Sequence, residues 1–324
     1  MKKIGVLSSG GDGSGFNPCI RAVVRTAISH GLGVMGIRSG YAGLINGEID
    51  EMDVRSVGGI IGRGGTILGT ARSEEFRTER GRLTAMRKLN EYGIDGLVVI
   101  GGDGSFRGAV KLREEFNFPV VGVPGTIDND ICGTDMSIGV DTALNTVLDA
   151  LDKIRDTASS HQRAFLVEVM GRACGYLALM SGIAGGAEMI LVPEVETSLE
   201  EVASALKDAY LRGKAHCIIV VAEGYKPGID AVAAYLTERR EELGFEVRTT
   251  VLGHVQRGGS PTAFERILAT RLGAASVEAL LNGQSGVMVG LIGNKIVLTP
   301  LEEIVSQPKK LDLSLYQLAK SLEK

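Results

Sequence analysis

The chain is predicted to adopt an α/β fold built on mainly parallel sheets with helices on both faces. Short apolar, β-branched runs alternate with longer amphipathic stretches along its 324 residues, and this alternation is typical of β-α-β units. The run at residues 217–221 is apolar throughout, as expected for a strand buried on both faces. The length allows two domains, because single cores stop growing at roughly 250–300 residues.

The individual elements follow from the spacing of apolar residues. Short alternating or continuous apolar runs predict strands near residues 3–7, 33–37, 96–100, 119–123, 164–169, 189–192, 216–222 and 287–292. Apolar residues at helical spacing predict helices near 16–29, 79–91, 105–116, 139–156, 198–212, 229–243 and 262–282. An Asp-rich loop ends near residue 138, and the residues alone place a domain boundary there.

Composition and charge argue against two classes of function. The chain is 44% hydrophobic and 23% charged, with a net charge of −4 and no polybasic block, so nucleic acid is not an expected partner. The most apolar stretch, residues 173–187, is interrupted by glycines and is shorter than the ~20 residues that span a bilayer. The chain opens directly into a predicted strand. We expect no membrane segment and a cytoplasmic location.

The first glycine-rich turn, residues 8–15, reads Ser-Ser-Gly-Gly-Asp-Gly-Ser-Gly and leads into a predicted helix. Glycines let the backbone approach an anion, and a helix N-terminus adds N–H groups and partial positive charge. The pattern matches neither the dinucleotide fingerprint nor the P-loop. An anion site and a plain tight turn therefore both remain open for this segment.

A second glycine-rich loop, residues 101–105, reads Gly-Gly-Asp-Gly-Ser and follows a predicted strand. It combines backbone access with the carboxylate of Asp103, and Mg²⁺ is usually bound through one or two carboxylates plus phosphates. The alternative is a capped turn in which Ser105 begins a helix.

The third segment, Pro124-Gly125-Thr126-Ile127-Asp128-Asn129-Asp130, places two carboxylates on a loop after an apolar run. In open α/β sheets ligands bind beyond the carboxyl ends of the strands. We expect Gly125 to leave room for a phosphoryl group and Asp128 to accept the proton of an attacking hydroxyl. The alternative is an Asx-type turn, but the sparse apolar anchoring favours a site.

Arginines recur in small clusters. They are Arg72, Arg163, Arg172, Arg248 and Arg257, the last close to His254. Arginine suits phosphate because its planar guanidinium donates two parallel hydrogen bonds. A single arginine is commonly a solvated surface charge, but Arg257 stands beside two glycines after a β-branched segment, which favours a binding role.

Over essentially its full length the chain resembles the bacterial ATP-dependent 6-phosphofructokinases. The matching motifs are Gly10–Asp12, Gly101–Ser105, Pro124–Asp130, Ser160–Arg163, Glu168–Arg172 and Leu252–Pro261. The resemblance implies transfer of the ATP γ-phosphoryl group to the 1-hydroxyl of fructose 6-phosphate. Such chemistry depends mostly on positioning and charge neutralisation, which suits a metal, a base and an arginine cluster.

The resemblance also implies a role for each site residue. Asp128 would be the general base, with Thr126 and Asp130 beside it. The catalytic set would be Asp128, Thr126, Arg172, Gly11 and Arg72. ATP would be held by Gly11, Arg72, Ser73, Gly102, Asp103, Gly104 and Ser105, with Asp103 on Mg²⁺. Fructose 6-phosphate would be held by Thr126, Ile127, Asp128, Arg163, Met170, Gly171, Arg172, Glu223, Arg248, His254, Val255, Gln256 and Arg257.

The resemblance further implies two doubly wound, three-layer α/β/α domains. Residues 1–138 plus 252–304 would bind ATP, and residues 139–251 plus 305–324 would bind fructose 6-phosphate. A homotetramer is implied, in which Arg163 and Arg248 reach the sugar of a neighbouring subunit.

The chain departs from the family pattern in two places. The usual Gly-Gly-Asp-Ala-Pro-Gly-Met-Asn opening has Gly13-Ser14-Gly15-Phe16 at its centre here, which predicts a looser turn. The resemblance implies an effector pocket for ADP or phosphoenolpyruvate, which would be partly kept in Arg21, Arg25, Arg155, Glu188, Arg212 and Lys214. The Arg-aromatic pair that many regulated members carry nearby is Val54-Arg55, so allosteric control stays open.

Two other functions are considered. A pyrophosphate-dependent phosphofructokinase usually carries Asp and Lys where this chain has Gly104 and Gly125, and the two glycines favour ATP. A non-catalytic sugar-phosphate-sensing subunit would keep the fold but lose the base or the metal ligand. Asp103 and Asp128 are both present, which argues against it.

Overall fold

Strands and helices alternate along the chain. In the computed structural model, which describes residues 1–322, the strands are β1 (Lys3–Ser9), β2 (Gly33–Ile37), β3 (Ile49–Met52), β4 (Gly96–Gly101), β5 (Val120–Pro124), β6 (Arg163–Val169), β7 (Met189–Leu191), β8 (Cys217–Ala222), β9 (Glu246–Val251), β10 (Val287–Ile292) and β11 (Lys295–Pro300). The helices are α1 (Phe16–Ser29), α2 (Gly40–Asn46), α3 (Glu79–Glu91), α4 (Asp103–Phe116), α5 (Val140–His161), α6 (Tyr176–Ala184), α7 (Leu199–Leu211), α8 (Ile229–Glu238), α9 (Arg240–Leu243), α10 (Ala263–Leu281), α11 (Leu301–Ser306) and α12 (Leu313–Leu322). Short 3₁₀ helices span Glu75–Arg77 and Gly253–Arg257.

Contacts divide the chain into two units, of which the first comprises residues 1–127, 131–142 and 257–309. Its 7-stranded sheet has the order β11-β10-β5-β4-β1-β2-β3. The pairs are parallel except at the edges, where β11 and β3 run antiparallel to their neighbours. One apolar core contains residues of α1 and α10, and a second contains residues of α2, α3 and α4. Helices thus cover both faces of the sheet.

The direction of winding in this sheet reverses between β1 and β4. From β1 the chain passes to its neighbour β2 on one side, and it later returns to β4 on the other side. Ser9 pairs with Gly101, and Gly101 pairs with Pro124, so β1, β4 and β5 end level with one another. Such a switch point is where open α/β sheets bind ligands.

The second unit comprises residues 128–130, 143–256 and, within the described part of the chain, 310–322. Its 4-stranded sheet has the order β7-β8-β6-β9 and is parallel throughout. An apolar core joins strand residues such as Leu166 and Ile219 to residues of α7 and α8. The helices α6 and α12 contact each other, and both contact β7.

The predicted fold class is confirmed: the sheets are mainly parallel and alternate with helices. Every predicted strand is present, whereas the short or exposed strands β3, β9 and β11 were not predicted. The predicted helix over 229–243 is divided into α8 and α9 at Arg239. Assignment of one domain to ATP and the other to the sugar phosphate stays a prediction, and residues 323 and 324 of the predicted segment 305–324 lie outside the described residues.

Among residues 1–322, no helix combines the length and the apolar character that crossing a bilayer requires.

Candidate active site

The glycine turn after β1 and the loop after β4 lie side by side in the first unit. Ser105 Oγ donates to the Ser9 carbonyl at 3.0 Å, and Thr70 Oγ1 donates to the Gly10 carbonyl at 2.9 Å. A Cβ added at Gly101 would lie 2.5 Å from the Ser9 carbonyl oxygen. The two backbones therefore approach more closely than a residue with a side chain at position 101 would allow.

The turn that leads into α1 is held firmly by residues distant in sequence. Ser14 Oγ donates to the Gly258 carbonyl at 3.0 Å. A Cβ added at Gly15 would lie 2.5 Å from Ile138 Cγ2. The prediction of a looser turn is wrong, because Gly13, Ser14 and Gly15 are all buried among these neighbours.

The predicted nucleotide loop opens α4. Gly102 is the N-cap residue of this helix, and Asp103 lies in its first turn. The Asp103 carboxylate forms an ion pair with Arg107 at 2.9 Å and remains half-exposed. A Cβ added at Gly104 would meet no atom within 4 Å. This end of α4 is therefore open at the position where the resemblance expects ATP.

The residues here fit a magnesium ion that is held largely by phosphate. Asp103 offers an accessible carboxylate, and there is open space beside the backbone of the next residue, Gly104. Clusters of three or more His, Cys, Asp or Glu that could hold a metal do not occur in the described part of the chain. Mg²⁺ typically needs only one or two carboxylates when phosphates supply other ligands, so the fit is to a metal that arrives with a nucleotide.

The other predicted nucleotide residues lie in two different settings. Gly11 contacts the Arg257 guanidinium: a Cβ added there would lie 3.3 Å from Arg257 Nη1. Arg72 is exposed. Ser73 Oγ accepts the Phe76 N–H at 3.2 Å and thereby stabilises the start of a 3₁₀ helix. Arg257, predicted with the sugar-phosphate set, thus lies against the first glycine turn.

The loop after β5 is held in place by the segment before α5. Gly125 N–H donates to the Gly101 carbonyl at 2.9 Å, and Thr126 N–H donates to the Ile138 carbonyl at 3.0 Å. Ile138 N–H in turn donates to the Pro124 carbonyl at 2.9 Å. Residues 124–126 therefore have a fixed path between β4 and the strand-like segment at Ile138.

Gly125 is closely packed on the side where a Cβ would point, and the space for a phosphoryl group beside its backbone stays a prediction. A Cβ added at Gly125 would lie 2.8 Å from the Phe16 ring and 3.2 Å from Ile100 Cγ2. Phe16 is fully buried, so it has little freedom to move aside. A side chain at position 125 would therefore collide with Phe16 of α1.

Asp128, the predicted base, lies in the second unit beside Arg172. Its Oδ2 is 3.6 Å from Arg172 Nε, and its side chain is 5% exposed whereas that of Arg172 is 55% exposed. Arg172 has a left-handed backbone (φ 52°), and its N–H donates to Glu223 Oε2 at 3.3 Å. The structure therefore brings a buried carboxylate next to an accessible cation, an arrangement suited to proton transfer next to developing negative charge.

Other predicted sugar residues share the carboxyl edge of the 4-stranded sheet. Met170 follows β6, and its N–H donates to Oε1 of the fully buried Gln256 at 3.1 Å. Glu223 follows β8, and its N–H donates to the Val169 carbonyl at 2.8 Å. Gly171 is buried between Met170 and Arg172, while His254 and Val255 are exposed beyond β9.

Acidic groups cluster at this edge. Burial raises the pKa of Glu168, and the charges of Glu223 and Asp230 raise it further. The protonated form of Glu168 is therefore favoured more than in water.

Arg163 and Arg248 lie toward the other end of the same sheet. Arg163 is the first residue of β6 and forms an ion pair with Glu246 at 2.8 Å, and Arg248 contacts the same Glu246 carboxylate. At ~3.3 Å per residue the ends of β6, which has 7 residues, lie about 20 Å apart. Within one chain these two arginines are not brought together with Arg172 and Met170.

The predicted effector residues fall into groups. Arg21 and Arg25 lie on α1. Arg155 donates to the Gly185 carbonyl, and Lys214 is 3.5 Å from Glu188. Glu188 and Lys214 also line a shallow pocket beside α6. Arg212 Nε donates to the Asp208 carbonyl at the end of α7 at 3.2 Å.

Sequence reasoning missed the buried carboxylate of Glu265 near the loop after β5. Glu265 is fully buried on α10, and its Oε1 accepts the Gly139 N–H at 2.8 Å. The Thr262-x-x-Glu265 spacing was a visible signal, but it predicts a capping box closed within one helix.

Comparison with known proteins gives a consistent result. The phosphofructokinase family model matches residues 3–280. The chain is 58% identical over 322 residues to "ATP-dependent 6-phosphofructokinase" of Halalkalibacterium halodurans, covering 99% of each chain. It is likewise 58% identical over 322 residues to "ATP-dependent 6-phosphofructokinase 1" of Thermus thermophilus, again with 99% of each covered.

A solved structure shows the same architecture. Phosphofructokinase of Pichia pastoris in the T-state superposes with a TM-score of 0.89 at 40% identity, over 99% of this chain and 39% of that longer chain. Together with the family model and the full-length bacterial relatives, this agreement establishes the relationship. The chain belongs to the phosphofructokinase family.

Proposed function

We propose that the chain transfers the γ-phosphoryl group of ATP to the 1-hydroxyl of fructose 6-phosphate, producing fructose 1,6-bisphosphate and ADP in glycolysis. The observation that carries this proposal is the full-length identity to relatives named ATP-dependent 6-phosphofructokinase. The level ends of β1, β4 and β5 support it, because they form the kind of edge at which α/β sheets hold phosphates. A cytoplasmic location is part of the proposal.

In this proposal Asp128 accepts the proton of the 1-hydroxyl as that oxygen attacks phosphorus. Arg172, 3.6 Å from Asp128, would offset negative charge on the transferred group. Gly102 to Ser105 would receive the phosphates of ATP at the start of α4, where backbone N–H groups favour anions. Asp103 would hold Mg²⁺, which when bound neutralises charge on the β- and γ-phosphates.

We further propose a homotetramer in which each sugar site uses Arg163 and Arg248 of a neighbouring subunit. Arg163 begins β6 and Arg248 is level with its third residue, Phe165, whereas Met170 and Arg172 follow its carboxyl end. A second copy is therefore the natural source of the charges that complete the sugar-phosphate site. Met170, Glu223 and His254 would contact the sugar from the subunit that carries Asp128.

Regulation by ADP or phosphoenolpyruvate is proposed for the basic residues near Glu188 and on α1. Arg155 and Lys214 are each within hydrogen-bond or ion-pair distance of groups at the end of α6. The exposed Val54 supplies no charge, so binding of an anionic effector is expected to be weak.

The phosphoryl donor is tested by following product formation with fructose 6-phosphate and either MgATP or magnesium pyrophosphate. We expect ADP release with ATP and no phosphate transfer from pyrophosphate. Activity with pyrophosphate alone would contradict the proposal, and inactivity with both donors would favour a sugar-phosphate-sensing subunit. Sedoheptulose 7-phosphate, which shares the reacting end of the sugar, is the informative alternative acceptor.

A further inference from the structure

The carboxylate of Glu265 connects two helices that begin next to the glycine turns. Its Oε1 accepts the Gly139 N–H at 2.8 Å, and its Oε2 accepts the N–H and the hydroxyl of Thr142 at 3.2 and 3.4 Å. These donors lie at or just before the first turn of α5, where N–H groups lack partners within the helix. A single side chain of α10 therefore fixes the start of α5.

The start of α10 is in turn bound to residues at the start of α5. Thr262 is the N-cap of α10: its Oγ1 accepts the Glu265 N–H at 3.1 Å and donates to Asp141. Thr262 N–H donates to Thr142 Oγ1 at 3.3 Å. The side chain of Glu265 does not close a capping box on its own helix, because it is engaged by α5.

Another helix shows the usual outcome of the same spacing. At α7, Ser198 accepts the Glu201 N–H, and the exposed Glu201 side chain accepts the Ser198 N–H in return. Glu265 occupies the equivalent position of α10 but is fully buried. A helix cap alone does not explain why a carboxylate is placed there, since burial of a charge is unfavourable.

The hydrogen bonds of Glu265 continue to the loop that carries the proposed base. Gly139, which Glu265 binds, follows Ile138, whose carbonyl accepts the Thr126 N–H and whose N–H donates to Pro124. A Cβ added at Gly15 would lie 3.0 Å from Glu265 Oε1 and 2.5 Å from Ile138 Cγ2. The first glycine turn therefore lies against this carboxylate, and the loop after β5 is connected to it through Ile138 and Gly139.

We infer that Glu265 is a positioning residue for phosphoryl transfer. In its ionised form Glu265 holds Gly139 and Thr142, and through them it holds the path of residues 124–127 that leads into Asp128. The inference rests on the function proposed above. The ionised carboxylate accepts all three hydrogen bonds, whereas a protonated carboxyl group presents an O–H to the same donors and holds them less well. Acidification therefore loosens the loop.

The surroundings of Glu265 place this change close to neutral pH. Burial raises the pKa of Glu265 to about 7, although hydrogen bonds from Gly139 and Thr142 oppose the shift, and the charge of Asp141 adds to it. Charged residues on the surrounding elements include Asp12 in the first turn, Arg21 and Arg25 on α1, Asp141 in the first turn of α5, and Arg257 and Arg266 beside or on α10. Arg266 donates to the Pro261 carbonyl and to Ser260, and the Arg257 guanidinium lies against Gly11.

The test compares the wild-type chain with E265Q, E265D and the matched control E201Q. For each, kcat and both KM values are measured with MgATP and fructose 6-phosphate across the pH range around neutrality. We expect wild-type kcat to fall below about pH 7, and E265Q to have a kcat about 10–100-fold lower at pH 8 without that pH dependence. KM should change little. E265D should keep the pH dependence at intermediate kcat, and E201Q should match wild type.

Amide exchange provides a second readout that does not depend on activity. Protection of the Gly139 and Thr142 amides in the wild-type chain should decrease as the pH falls through 7 and should be reduced in E265Q. A wild-type pH profile in E265Q, or protection of these amides that does not vary with pH in wild type, would overturn the inference. If E265Q does not fold, the exchange data on wild type and E265D decide. A wild-type chain without kinase activity contradicts the proposed function instead, and amide exchange then decides for Glu265.

Discussion

A mixture of two inactive variants should recover activity if Arg248 acts on the sugar site of a neighbouring subunit. Arg248 is level with Phe165 of β6 and contacts Glu246 near the start of that strand. Arg172 and Asp128 form their 3.6 Å pair beyond its carboxyl end, which lies about 13 Å from Phe165 at ~3.3 Å per residue. Each site would then take Asp128 from one subunit and Arg248 from another. In random mixtures of D128N and R248A, about a quarter of the sites contain both intact groups.

The assay dissociates and reassembles the two variants at equal concentration and compares kcat with wild type. We expect about a quarter of wild-type activity after exchange and almost none before it. The matched control mixes D128N with R172A: because Arg172 pairs with Asp128 in its own chain, no site regains both groups and activity should not return. Mixed oligomers of D128N and R248A that stay inactive would refute the placement of Arg248 in a neighbouring site.

The remaining predictions concern the glycines, the effector residues and Glu265. G104D should fold with nearly unchanged stability, since a Cβ there meets open space, but it should lose ATP turnover. G125A should be destabilised by about 1–3 kcal/mol, because Phe16 fills the space beside Gly125. Urea unfolding and an ADP-release assay on both variants test this pair, and a stable G125A would contradict it. Fructose 6-phosphate saturation curves should shift slightly with millimolar ADP or phosphoenolpyruvate in wild type and not in R25A, because each lost charge-assisted contact weakens effector binding by about 10–100-fold. Curves that no effector moves in wild type would mean that these residues bind no effector. The folded state binds the proton of Glu265 more tightly than the unfolded chain does. As the pH rises from 4.5 to about 7, the free energy of unfolding of wild type should therefore fall by about 3 kcal/mol relative to that of E265Q. Unfolding midpoints of the two proteins that change in parallel with pH would exclude this titration.

The sequence predicted the apolar strands, including the buried edge strand β7, and it missed the polar or exposed edge strands β3, β9 and β11. Residues 217–221 are apolar throughout and form the central strand β8. In contrast, β9 carries Glu246, Arg248 and two threonines, because one of its sides faces away from the sheet core. A polar run of this kind has no period that separates it from a loop.

The helix α6 was missed for a related reason. Its residues are apolar and interrupted by glycine, and Gly182 packs against Ile190, where a Cβ would lie 2.6 Å from the side chain. A helix buried on several sides shows no amphipathic pattern. Such an element is recognised only from its packing.

The site shows the same division between local and tertiary information. The loops that carry Asp103 and Asp128 were visible because glycine and proline follow apolar runs. The close packing at Gly125 was not visible from the sequence, since Phe16 approaches it from another helix. Glu265 was hidden for the same reason: its spacing to Thr262 predicts a local cap, and only the fold brings it to Gly139. The positions of Arg163 and Arg248 relative to Arg172 depend on strand register, which the sequence does not specify.

The central claim is that the chain phosphorylates fructose 6-phosphate from ATP with Asp128 as the base. The most direct measurement is kcat for ADP formation with saturating MgATP and fructose 6-phosphate, in wild type and in D128N, together with the affinity of each protein for the sugar phosphate. We predict turnover by wild type, a kcat lower by about 10²–10⁴ in D128N, and similar sugar binding in both. A D128N protein with near wild-type kcat would contradict the assignment of the base, and a folded wild-type protein that forms no ADP would contradict the function itself.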